Sequence, residues 1–190
     1  MQKKTFLITG GSGGIGSALA HKLIKTSYTP LIVYKSNREK AEDLAKAVDG
    51  EAIELNLIDL NAVDRVVDNL ASSHAVLAGV VLGASAPLEI TSFGHISEQD
   101  MGNQWRVNVL GHQRLLAGLV RKVFSKRKQG IVVGILSDAM GTTEKANSTS
   151  LGAYITAKYG LQGLLAVLKA AHRWLDVITV SHQILLKQAR

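Results

Sequence analysis

Along the chain, short apolar runs rich in β-branched residues alternate with longer stretches whose apolar positions recur every three or four residues. The short runs predict strands at Thr5–Thr9, Leu31–Tyr34, Ala52–Leu55, Val76–Leu82, Ile131–Leu136 and Val177–Val180. The periodic stretches predict helices at Ile15–Thr26, Arg38–Val48, Ala62–Ser72, Gln104–Phe124 and Ala153–Trp174. Regular alternation of this kind specifies an α/β protein, a parallel sheet with crossover helices on both faces. The fourth and fifth strands are nearly all apolar, as strands buried on both faces must be. Six such strands take the order 3-2-1-4-5-6, a doubly wound sheet with its ligand crevice at the carboxyl ends of strands one and four. No internal repeat, linker or low-complexity segment interrupts the series, so residues 1–190 are expected to form one domain.

Composition narrows the chemistry. With 190 residues and 46% hydrophobic content, the chain can bury one substantial core. It has no cysteine, which excludes disulfides, thiolate zinc sites and cysteine nucleophiles. The six histidines are scattered without ligand spacing, so no metal site is expected. No apolar run reaches a membrane-spanning length and no signal-peptide pattern opens the chain, so a cytoplasmic protein without membrane contact is expected. The net charge of +7 raises the question of nucleic acid. Its densest cluster, "RKVFSKRK" at residues 121–128, ends a predicted helix and is accompanied by no aromatic ladder for base stacking. It reads as a solvated helix end, and no nucleic-acid partner is expected.

The turn after the first strand, "TGGSGGIG" at residues 9–16, fits two glycine patterns. Gly11, Gly13 and Gly16 spell G-x-G-x-x-G, whereas Gly10, Gly14 and Gly16 spell T-G-x-x-x-G-x-G. Either opens a helix whose N-terminal N–H groups suit a phosphate, as in a Rossmann dinucleotide site. The first pattern requires an acid at about Tyr34 or Lys35 to accept from a ribose, and none is there. The segment offers Lys35, Ser36, Asn37 and Arg38 instead, donors suited to an extra ribose phosphate; the nearest acid along the segment, Glu39, falls within the next helix. NADP(H) is therefore favoured over NAD(H), with Asn37 also able to cap the following helix. A second signal is "YITAK", where Tyr154 and Lys158 stand one helical turn apart. A fixed cation near the phenol favours its ionised form.

With these motifs in order, the chain resembles the short-chain dehydrogenase/reductase family from Thr5 to about Val180. The resemblance selects Gly10, Gly14 and Gly16 as the phosphate-loop glycines, with Ser12, Gly13 and Ile15 beside them. It also adds Asn108 in "RVNVLG" and Ser137 at the end of "IVVGILS" to Tyr154 and Lys158. It implies hydride transfer between NADP(H) and a carbonyl or secondary alcohol. In that scheme Tyr154 protonates the carbonyl oxygen and Ser137 donates to it. Lys158 lowers the Tyr154 pKa and binds the nicotinamide ribose, and Asn108 holds a relay water. The segment "VYKSNREKAEDLA" most resembles 3-oxoacyl-carrier-protein reductases, which implies a small carbonyl or acyl-thioester substrate. A homodimer or homotetramer is implied through the helices carrying Asn108 and Tyr154.

Some segments depart from the family pattern. After strand four, "LGASAP" lacks the family's asparagines but keeps the small residues Gly83, Ala84 and Ser85 that let a cofactor approach. The adenine-side pair is Asn56 and Leu57 rather than an aspartate with an aliphatic residue. The polar loop between Ser137 and Tyr154 is longer than usual and is expected to be mobile until ligand orders it. The end, "VSHQILLKQAR", is expected to be a shortened C-terminus lacking the family's substrate cover. The alternative function is then a dinucleotide-binding protein with little or no catalysis.

Overall fold

The computed structural model describes residues 4–142 and 144–182. Six parallel strands, β1 (Lys4–Thr9), β2 (Tyr28–Tyr34), β3 (Glu51–Glu54), β4 (Val76–Leu82), β5 (Gly130–Ser137) and β6 (Leu175–His182), form one sheet in the order β3-β2-β1-β4-β5-β6. The order is the one expected from the alternation of strands and helices. The helices are α1 (Gly14–Leu23), α2 (Arg38–Ala47), α3 (Leu60–Ser72), α4 (Glu98–Trp105), α5 (His112–Lys122) and α6 (Gly152–Ala171).

The strand period of two divides the core between the sheet's faces. On β1, Phe6 and Ile8 pack with Ala20, Ala41 and Leu44 of α1 and α2. Leu7 joins Leu115, Leu119 and Leu161 of α5 and α6 on the other side. The central strands are thereby covered twice, and the polar groups at their carboxyl ends are held in a fixed frame. Along β6, by contrast, Leu175 and Val177 are buried and every residue after Val177 is exposed.

The helix expected at Gln104–Phe124 differs most. It begins at Glu98, where Ser97 and Asp100 form a reciprocal capping box. Its middle, Arg106–Gly111, is π-helical, and α5 continues from His112. Two other helices end early. Thr26 Oγ1 donates to Leu23 O at 2.5 Å where α1 stops, and α6 stops at Ala171 so that the chain can turn into β6. The C-terminal residues 183–190, which carry the expectation of a shortened end, lie outside the described residues. No helix among the described residues is long and apolar enough to cross a membrane. No group of three metal-ligating side chains occurs among them either.

Candidate active site

Steric contacts assign a reason to most glycines of the β1–α1 turn. Gly10 has φ +67°, a conformation that disfavours a side chain, and a Cβ there would meet the Ala84 backbone at 3.0 Å. A Cβ on Gly16 would lie 2.5 Å from Gly10 O and 2.6 Å from Gly11 Cα, so this glycine lets α1 pack against the turn. Gly14 is different, because a Cβ there would meet nothing within 4 Å. Its N-cap, Gly13, supplies no side-chain acceptor, and the first turn of α1 holds no acid. The α1 N–H groups are thus left for an acceptor from outside the chain, and the dipole favours an anion there.

This turn borders a cleft of about 820 Å³ at the carboxyl ends of β1 to β4. Of the residues assigned to the cofactor from the sequence, Gly10, Ser12, Gly13, Tyr34, Lys35, Ser36, Asn37, Asn56, Leu57, Gly83, Ala84 and Ser85 line it. Gly14, Ile15, Gly16 and Arg38 do not. Pro87, Glu89, Asp100, Asn103, Gln104 and Val107 are among the further wall residues that were not anticipated. Gln104 had a signal in the sequence, since it stands one turn before Asn108. The donor group at the end of β2 is divided. Asn37 Oδ1 accepts from Lys40 N at 3.1 Å and caps α2. Arg38 Nη2 donates to Glu54 Oε2 at 2.7 Å. Glu39 is therefore not the only acid to consider; the parallel register sets Glu54 opposite Tyr34, twenty residues away in sequence. The cleft's size, its small-residue floor and the uncapped helix end fit a dinucleotide.

Beyond the cleft, β5 ends in Ser137 and α6 carries Tyr154 and Lys158. Tyr154 is buried and hydrogen-bonded to the Ser137 hydroxyl, whose Oγ also accepts from Ala139 N at 3.2 Å. Lys158 is 2% exposed, with Nζ donating to Ile135 O at 2.8 Å and lying 5.5 Å from the Tyr154 ring centroid. Burial pushes Lys158 down to about 8. Burial also raises the Tyr154 phenol, and the Ser137 hydrogen bond opposes that only in part. No net lowering of the Tyr154 phenol, of the kind expected from the spacing to Lys158, results in this arrangement. The ammonium is turned toward Ile135 O, and desolvation of the phenolate is the larger effect.

Asn108 is fully buried in the π-helical segment. Its Nδ2 donates to Ser85 Oγ at 3.1 Å and to Gln104 O and Oε1 at 3.1 and 2.9 Å. Its Oδ1 is buried with no partner, an acceptor that suits a water or ligand donor. Sequence reasoning missed His112, also fully buried, which lies between Asn108 and the cleft floor. Its Nδ1 faces Asn108 O at 3.1 Å and its Nε2 faces Thr9 Oγ1 at 3.1 Å. Since a carbonyl only accepts, Nδ1 carries the proton. Burial pushes the ring down to about 4; the Asn108 carbonyl opposes this and the nearby Lys158 charge adds to it. The neutral ring therefore presents Nε2 as an acceptor, and the single Thr9 hydroxyl proton is shared between it and Val81 O, with Thr9 Oγ1 at 3.1 Å from each. Thr9 Oγ1 in turn accepts from Gly83 N at 3.0 Å and Ala84 N at 3.1 Å, which fixes the β4 end of the cleft.

Comparison with known proteins places this geometry in a family. The sequence profile described as short chain dehydrogenase matches residues 4–182. The curated 3-oxoacyl-[acyl-carrier-protein] reductase FabG of Aggregatibacter actinomycetemcomitans is 28% identical over 167 residues, covering 84% of this chain and 66% of that protein. The chain thus spans about 65% of the length of the FabG relatives it matches. A metagenomic short-chain oxidoreductase in complex with NADP superposes with TM-score 0.84 at 21% identity, covering 95% of this chain and 82% of the other. An NAD+-bound xylitol dehydrogenase superposes with TM-score 0.85 at 21% identity, covering 96% and 70%. At those identities the two superpositions establish the fold.

Proposed function

Since the chain belongs to the short chain dehydrogenase family, we propose that it is an NADP(H)-dependent oxidoreductase acting on a carbonyl or secondary alcohol. The observation that carries this reading is the meeting of Tyr154, Ser137 and Lys158 at the carboxyl end of β5. A bound nicotinamide supplies or accepts the hydride at the substrate carbon. In reduction, Tyr154 O–H gives its proton to the carbonyl oxygen as that carbon receives the hydride, and the product is the alcohol. Burial keeps the phenol protonated at neutral pH, which suits a proton donor. The Lys158 ammonium then favours the phenolate left behind, and the Ser137 hydroxyl donates to the oxygen where charge develops. Asn108 Oδ1 holds a water that returns a proton toward the site. The α1 N-terminus, Gly10 and Ser12 receive the pyrophosphate, Asn56 and Leu57 the adenine, and Lys35 and Ser36 the ribose phosphate.

Likeness to FabG supports a 3-oxoacyl-thioester-like substrate. So do the exposed Leu88, Ile90 and Phe93, whose segment is tied to the start of α6 by Thr91 N donating to Ser150 O at 2.9 Å. Exposed Trp105, Leu110 and Val167 on α4, the π-helical segment and α6 support assembly into a homodimer or homotetramer. Fluorescence titration with NADPH, followed by NADPH oxidation with a short 3-oxoacyl thioester, tests the reading. Absence of dinucleotide binding contradicts it.

A further inference from the structure

Glu54 closes β3, and the parallel register sets it beside Tyr34 at the end of β2. Its Oε2 accepts from Arg38 Nη2 at 2.7 Å and from the Tyr34 hydroxyl at 3.4 Å. Arg38 Nη1 lies 3.7 Å from Glu42 Oε1. Two carboxylates therefore share the guanidinium, and Arg38 does not line the cleft. Lys35, which does line it, has no ion pair among the described residues.

We propose that Glu54 is a specificity-determining residue, which holds the Arg38 guanidinium away from a phosphate on the adenine-side ribose. Discrimination for the phosphorylated dinucleotide then rests on Lys35 and Ser36, below what all the donors together would give. This rests on the dinucleotide reading above. An arginine fork engaged by a carboxylate cannot present the same donors to a phosphate, so the two anions compete for it. The Glu54 charge also opposes a second anion in its neighbourhood. Both partners are more than half exposed, so the hold on Arg38 is modest and the competition graded.

The substitution Glu54→Gln removes the charge and keeps the shape. Fluorescence titration of the full chain with NADPH and with NADH, alone and in an Arg38→Ala background, separates the contributions. NADPH should bind about two- to five-fold more tightly to Glu54→Gln than to the wild type. NADH, which lacks the phosphate, should be unaffected and serves as the control for correct folding. The gain should vanish when Arg38 is alanine. An unchanged NADPH-to-NADH ratio overturns the proposal, as does a gain that persists in full without Arg38. Weakened NADH binding also overturns it, because Glu54 would then be a ribose acceptor. A wild-type chain that binds neither dinucleotide contradicts the dinucleotide reading itself, whereas binding of both with no change of ratio contradicts only the role of Glu54.

Discussion

Thr9 Oγ1 and His112 Nε2 stand 3.1 Å apart in the interior, joining the last residue of β1 to the first residue of α5. The imidazole is held neutral, with its folded pKa at about 4 against an ordinary 6.5. Between these values the unfolded chain binds the extra proton, so stability rises with pH across the window. The contribution is complete above 6.5 and is lost as pH falls toward 4. Its size is on the order of 3 kcal/mol. Urea denaturation at pH 7, 5.5 and 4.5 should show this slope in the wild type. His112→Phe should lose that part of the slope and be less stable at pH 7 by about 1–3 kcal/mol, because Asn108 O loses the Nδ1–H donor while Thr9 O–H keeps only Val81 O. Equal slopes in both proteins would contradict the buried neutral ring.

The glycines of the β1–α1 turn should separate into two classes. Gly16→Ala places a Cβ 2.5 Å from Gly10 O and is expected to cost about 1–3 kcal/mol of stability. Gly14→Ala meets no protein atom, so its melting temperature should hold or rise slightly while NADPH affinity falls. Thermal denaturation and dinucleotide titration of both variants check the division, and loss of stability in Gly14→Ala contradicts it.

Much of this arrangement is legible in the sequence because burial on both faces leaves a strong pattern. Val76–Leu82 is found within its predicted bounds, and the glycine turn, Tyr154 and Lys158 stand out by residue type and spacing, whereas Ser137 comes only from the family resemblance. The prediction for the second strand stops at Leu31, whereas β2 runs back through Pro30 to Tyr28. Proline is tolerated there because pairing with β3 begins only at Leu31. The π-helical turn at Arg106–Gly111 leaves the apolar spacing on either side consistent with one helix, so periodicity does not reveal it. The start of α4 was missed in the sequence although the Ser97 and Asp100 spacing is that of a capping box. Glu54 and Arg38 meet only through strand register, and His112 meets Thr9 across 103 positions. Such long-range polar contacts have no local pattern to read.

Lys158 should couple pH to both stability and rate. Its folded pKa of about 8 lies below the ordinary 10.5, so the unfolded chain holds more protons between these values and stability rises with pH there. The reductive rate should move the opposite way and fall above about pH 8, as the ammonium that favours the phenolate is lost. Lys158→Met should fold, because an apolar side chain of similar length replaces a buried charge. It should lose turnover, through loss of the cation beside the Tyr154 ring. A pH–rate profile of the wild type that stays flat to pH 10 would contradict the role given to the ammonium.

The most direct measurement of the central claim pairs binding with turnover in Tyr154→Phe. The substitution removes the phenolic proton and leaves the ring that packs in the site. NADPH affinity, followed by fluorescence, should stay within about two-fold of the wild type because Tyr154 does not line the dinucleotide cleft. Reduction of a short 3-oxoacyl thioester, followed by NADPH oxidation, should fall by about 10²-fold or more with the loss of a positioned acid. Turnover in Tyr154→Phe equal to that of the wild type would contradict the account.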